Sequence, residues 1–317
     1  MRKAIFYTHH YEVRLPPGHR FPMQKYRMLH QALVQSGLAA EDELLPAPLA
    51  ALWEIERVHT PAYVRAFVDG SLPPSLERRI GIPWSPVFVQ RTLASVGATL
   101  EAARTAMVTG FGAALSGGTH HAFPDYGEGF CVFNDLAIAA TMLLEEYGVH
   151  RIAIVDLDVH QGNGTAAIFQ DHPAVFTLSI HAANNYPFRK ERSSLDIALP
   201  DGCGDAQYLE ALDRALEGVA RFEPEVILYQ AGVDVIREDR LGRLNLSLEG
   251  VYQRDKKVLQ FAYAQNIPIV LTMGGGYGNP LEQTIAAHLR TYSAVREIFT
   301  EAPAQNGPAD RCYTRSS

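Results

Sequence analysis

With 317 residues and 47% hydrophobic content, the chain can bury a substantial core without covalent staples. Its three cysteines, Cys131, Cys203 and Cys312, lack CxxC spacing, which argues against a disulfide framework or a thiolate zinc site and fits a reducing compartment. A formal net charge of −7 with no Lys/Arg block disfavours a nucleic-acid surface. The N-terminus has no signal-peptide core and the longest apolar run, 136–144, is too short for a bilayer, so a cytoplasmic protein with no membrane partner is expected.

In chain order, RKAIFYT reads as a first strand, and helical periodicity follows over 22–36, 61–69 and 86–109. A glycine-rich loop, GGTHHAFPDYGEGF at 117–130, precedes a helix over 134–147. RIAIVDLDV and AVFTLSI read as strands, then a helix covers 205–220. PEVILYQ, a helix over 248–265, IPIVLTM and a helix over 280–298 complete the pattern. Strands alternating with helices predict an α/β fold with a mostly parallel sheet flanked by helices. No linker or repeat of roughly 20–50 residues divides the chain, so one domain over 1–300 is expected. Residues 301–317 are polar and Pro/Gly-punctuated, and an irregular tail is expected there.

Parallel sheets bind ligands beyond the carboxyl ends of their strands, and here those ends are polar or glycine-rich. In RIAIVDLDVHQGNG, residues 151–164, an extended chain would project Asp156, Asp158 and His160 to one side and Val155, Leu157 and Val159 to the other. Two carboxylates buried together need a cation or donors, while Gly162 and Gly164 are expected to form a tight turn. The ordinary alternative is an Asx turn at Asp158 beside a surface histidine. Asp234, after VILYQAG, would supply a third ligand, although a helix cap is equally common for such an acid. One imidazole and two carboxylates make an N/O site suited to Zn²⁺, with Fe²⁺ or Mn²⁺ also compatible.

His120-His121 suits a proton acceptor and donor near neutral pH, with Asp156 and Asn163 available to fix the tautomers. The pair His9-His10 is a control that position alone does not rank below it. MGGGYG at 273–278 lacks GxGxxG spacing, no GKS/GKT loop or GxSxG elbow occurs, and Tyr277 reads as a phenol donor at the rim.

HRFPMQKY, HTPAYV, GGTHHAF, GFCVFND, DLDVHQGNGT, SIHAANNYP, QAGVDV and MGGGYG, in this order, resemble the histone deacetylase superfamily with its arginase-like fold. HRFPMQKY and the YP after SIHAANN are most similar to the class IV branch and its bacterial relatives. The resemblance implies a three-layer single-domain fold and Zn²⁺ held by Asp158, His160 and Asp234. It implies a structural K⁺ at Asp156 and Ser179, with Asp156 also bonding His120 and Asn163 supporting His121. An asparagine at 163, where many relatives carry aspartate, implies a less basic His121. Acyl-lysine amides would be hydrolysed by metal-activated water, with His121 as base, His120 assisting and Tyr277 polarising the carbonyl. Phe130 and Tyr186 would wall an acyl-lysine tunnel, Gly129 would accept the substrate N–H, and Leu241 would stand near the rim. For the aromatics the ordinary alternative is core packing. Thr119, where relatives often carry an aromatic, implies a different inner pocket. The same motifs fit an acetylpolyamine or other small acetylated-amine hydrolase, or a silent acyl-amine binding module. A dimanganese ureohydrolase would need further bridging carboxylates that DLDVHQGNG lacks.

Overall fold

The computed structural model describes residues 4–301. The expected tail lies outside the described residues, apart from Glu301, which ends a π-helical turn. Eight strands form one parallel sheet: β1 Ile5–Tyr7, β2 Leu44–Pro46, β3 Phe111–Ala114, β4 Ile152–Asp156, β5 Val175–Ala182, β6 Leu195–Leu199, β7 Val226–Gln230 and β8 Ile269–Thr272. Their spatial order is β2-β1-β3-β8-β7-β4-β5-β6.

Alternation along the strands divides the core into two layers. Ala153 and Val155 of β4 face one side with Ile227, Tyr229, Ile269 and Leu271, covered by α1 Lys25–Gln35, α8 Asp205–Phe222, α9 Leu248–Ala264 and α10 Leu281–Arg296. Ile152 and Ile154 face the other with Leu228 and Val270, covered by α3 Pro61–Asp69, α5 Pro86–Thr109 and α6 Asp135–Glu146. The seven helices expected from periodicity and the five strand-like runs are all present, with ends shifted by a few residues.

Three strands and three short helices carried too little pattern to be expected: β2, β3 and β6, with α2 Leu52–Ile55, α4 Pro74–Ile80 and α7 Asn163–Ile168. β3 is the sequence FGAA, poor in the β-branched residues that mark strands, yet it is buried throughout. It is a strand because β1 and β8 pair with it on either side.

The segment 151–164 departs from the expected extended geometry. β4 ends at Asp156, because the N–H of Asp158 donates to Asp156 Oδ1 (3.1 Å) and the N–H of His160 to Asp158 Oδ1 (3.0 Å). Such side-chain acceptors compete with the ladder and bend the chain. The expected tight turn is present at one glycine only: Gly162 (φ −72°, ψ 69°) sits between the Gln161 carbonyl and the Asn163 N–H that donates to it (2.8 Å) and caps α7, whereas Gly164 lies inside α7, where a Cβ would lie 2.3 Å from the Ala122 carbonyl oxygen. Close approach to the histidine loop is what position 164 requires.

Candidate active site

Four adjacent strands, β3, β8, β7 and β4, deliver the site at their carboxyl ends. From β4 come Asp156, Asp158 and His160; beyond β7 lies Asp234; beyond β8 the glycine loop leads to Tyr277; beyond β3 the chain reaches His120-His121.

Asp158, His160 and Asp234 are buried together, their ligand atoms within 4.8 Å of one another. His160 Nδ1 lies 3.0 Å from Asp158 Oδ1 and 3.1 Å from Asp234 Oδ2. The remaining lone pairs are partly occupied: Gly275 N–H donates to Asp158 Oδ2 (2.7 Å) and Val159 N–H to Asp234 Oδ1 (2.9 Å). Gly275 is required there, since a Cβ would stand 1.9 Å from Asp234 Oδ2. Despite the nearby imidazole, Asp234 Oδ2 makes no hydrogen bond. Burial and the Asp158 charge push the Asp234 carboxyl up to about 7. Burial opposes a charge on His160, but the Asp158 and Asp234 carboxylates outweigh it and raise its pKa to about 10. The pocket thus demands positive charge, and a buried oxygen without a partner fits a cation's ligand. A divalent metal suits this donor set.

Beside it, His120 Nδ1 lies 2.6 Å from Asp156 Oδ2 and His121 Nδ1 lies 2.7 Å from Asn163 Oδ1, while the two Nε2 atoms are 3.1 Å apart. Burial disfavours charge on His120, yet Asp156 and Asp158 raise its pKa. His121 is lowered well below the ordinary histidine range by burial and by His120 and His160. Asn163 accepts the Nδ1 proton of His121, leaving Nε2 as the ring's proton-accepting nitrogen, toward which His120 Nε2 points. Asp156 and Ser179 are register partners on β4 and β5.

Tyr277 is buried, and burial with the nearby Asp234 and Asp158 charges raises its pKa far above the ordinary value, keeping a phenolic proton. Its backbone is fixed from both sides: its N–H donates to Asp239 Oδ2 (2.6 Å), and Arg240 Nε donates to its carbonyl (2.9 Å).

A cavity of about 690 Å³ joins these groups to the surface. Gly129, Phe130, Tyr186 and Leu241 all line it, as does Thr119. Phe130 holds a left-handed backbone (φ 69°), its N–H bonded to the Ile80 carbonyl (2.8 Å). Such strain persists only where the surroundings fix it. The Tyr186 ring is 5.0 Å from the His121 ring and nearly perpendicular to it. The control pair His9-His10 is elsewhere: His9 lines a second cavity of about 530 Å³ and stacks on Tyr7.

Several site neighbours were not singled out from the sequence. Glu128 accepts from Asn163 Nδ2 (2.7 Å) and pairs with Arg79, placing a carboxylate behind the His121–Asn163 pair. Gln230 Nε2 reaches toward Asp158 Oδ2 at 3.4 Å, and buried Lys25 donates to the Gly274 carbonyl at 3.3 Å. Gln230 ends the run VILYQ and Lys25 lies within HRFPMQKY, so a polar residue closing an apolar run was the available signal for the first. Asp239 and Arg240 follow no such run.

A parallel α/β sheet with this buried Asp-His-Asp cluster beside paired histidines defines the arginase/deacetylase-like class. The model of the histone deacetylase domain matches residues 19–292. Histone deacetylase 2 of Arabidopsis thaliana is 30% identical over 310 residues, covering 94% of this chain and 80% of the relative. The acetoin utilization protein AcuC of Bacillus subtilis is 32% identical over 273 residues, covering 78% and 70%. A solved HDAC homolog, complexed with SAHA, matches with a TM-score of 0.82 at 26% identity over 96% of this chain and 86% of that one. The chain belongs to the histone deacetylase family. It is accordingly a hydrolase of the kind that deacetylates acylated amines. Among the described residues no helix is long and apolar enough to cross a membrane.

Proposed function

We propose that the chain is a zinc-dependent amidohydrolase removing acetyl or other acyl groups from acylated lysine side chains, with residues 1–300 as the catalytic domain. The observation that carries this reading is the buried Asp158–His160–Asp234 cluster, with its unpartnered Asp234 Oδ2, opening into the same cavity as His121 and Tyr277. These three residues would hold Zn²⁺, and Fe²⁺ suits the same donors. When bound, the ion would supply Lewis acidity, polarising the acyl carbonyl and bringing the pKa of water down to about 7.

The remaining chemistry falls to the chain. His121, uncharged and with Nε2 as its accepting nitrogen, takes a proton from the attacking water and returns it to the leaving amine. His120, held toward its charged form by Asp156, adds positive potential beside the developing oxyanion. Tyr277 donates its phenolic proton in a hydrogen bond to that oxygen. Phe130 and Tyr186 flank the methylene stem, the Gly129 carbonyl accepts the substrate N–H, and Leu241 contacts the stem near the mouth. Asp156 and Ser179, side by side on β4 and β5, contribute oxygens to a structural K⁺.

Acetate release by zinc-loaded protein from an acetyl-lysine peptide and from an N-acetylated polyamine, side by side, tests this reading. Preferential hydrolysis of the peptide is expected. Preference for the polyamine would move the function to small-amine hydrolysis, and zinc binding without turnover of either would leave an acyl-amine binding module.

A further inference from the structure

We propose that the mouth of the active-site cavity is an arginine-lined docking surface for acylated lysines flanked by carboxylates, a proposal that rests on the deacylase reading above. Five exposed arginines line this cavity: Arg20 from the N-terminal loop, Arg78 and Arg79 from α4, and Arg240 and Arg243 from the segment after β7. Among the described residues lining it, the sole acidic side chain is Asp158, deep at the cluster. Arg79 is partly neutralised by Glu128 (2.7 Å) and Arg243 by Asp201 (2.9 Å). Arg20, Arg78 and Arg240 have no ion-pair partner among the described residues.

The chain as a whole carries a formal charge of −7, so this concentration opposes the overall balance. Positive charge around a low-dielectric opening focuses the field, speeding anionic ligands inward and repelling cationic ones. These exposed arginines line the same cavity as Phe130 and Tyr186 and as the buried His121 and Tyr277. An anion bound at the mouth therefore sits beside an acyl-lysine inserted below. Phe188, 87% exposed and 6.3 Å from the Tyr186 ring, gives a peptide an apolar contact at the same edge. That combination favours an acidic peptide over a nucleic acid and disfavours lysine-rich segments and polyamines.

The test uses zinc-loaded protein and three acetyl-lysine peptides of equal length with glutamate, serine or lysine flanks, at low and high salt. At low salt kcat/KM is expected to fall from glutamate to serine to lysine, by roughly tenfold or more across the series. High salt should compress the series, because exposed charges are screened within a few ångströms. Arg20→Glu and Arg78→Glu, both at exposed positions, should each diminish or reverse the order. Fluorescence anisotropy of the labelled peptides on zinc-loaded Tyr277→Phe protein gives the same ranking independently of turnover. Absence of acetate release from every peptide would overturn the peptide-lysine deacetylase reading, while anisotropy would still judge the surface. Equal binding of all three peptides, or a ranking unchanged by both reversals, would overturn the proposal. So would an RNA oligonucleotide that binds more tightly than the glutamate peptide.

Discussion

Asn163 stands between two demands, accepting from His121 Nδ1 and donating to buried Glu128. An aspartate could meet the first but not the second, since its second oxygen would face the Glu128 carboxylate and one of the two would need a proton. Asn163→Asp is therefore expected to lose about 1–3 kcal/mol of stability. Asn163→Asp/Glu128→Gln should recover most of it, as read by urea unfolding; an undiminished deficit in the double variant would contradict this. The same pair illustrates legibility at this scale. Asp158, His160, His121 and Tyr277 stood out in the sequence because few side chains can serve in the proposed roles of metal ligand, neutral-pH base and phenol donor. Glu128 acts only through a neighbour 35 positions away, so no local pattern marked it.

At the scale of elements, α9 braces the loops that carry the cluster. Fully buried Arg254 donates to the carbonyls of Leu157 (3.2 Å) and Gly232 (2.6 Å) and pairs with Asp255 (2.7 Å). Asp255 in turn accepts from Tyr229 and from Thr291. Arg254→Met would strand a buried carboxylate, an expected loss of about 3–5 kcal/mol. Zinc affinity should weaken about 10–100-fold with it, because supports of metal ligands matter on that scale. Unfolding and zinc titration together check this; unchanged zinc affinity would contradict the bracing role. His59 similarly joins a loop to α6, its Nδ1 3.0 Å from the Phe123 carbonyl oxygen and its Nε2 accepting from Asn134 N–H (2.8 Å). Burial lowers its pKa from 6.5 to about 4. The folded state then binds fewer protons than the unfolded chain, so the stabilisation is full above pH 6.5 and is lost as pH falls toward 4. Its size is about 3 kcal/mol. His59→Gln keeps an acceptor for Asn134 and should flatten the decline of the urea midpoint through that window; an equally steep decline would assign it to other groups. The long helices were legible from their periodicity, whereas β3 and β6 exist through pairing with neighbours that no local window contains.

Over the whole molecule, charge is distributed against its sum. The sequence shows no basic block because the arginines at the cavity mouth come from three separate stretches, which the fold alone brings together. The sheet does the same for the centre, where the ends of β3, β8, β7 and β4 meet. Most of that gathering was readable because parallel strands expose their carboxyl ends on one edge. Strand order was not, since it is set by crossovers whose packing spans both core layers.

The most direct test is to strip the protein of metal, titrate Zn²⁺ back, and follow acetate release from an acetyl-lysine peptide in wild type and Tyr277→Phe. Activity should rise with one equivalent of zinc in the wild type. The variant should bind the same equivalent with kcat lower by about 10²–10³. Turnover indifferent to zinc, or full activity without the Tyr277 hydroxyl, would contradict the metal-centred mechanism.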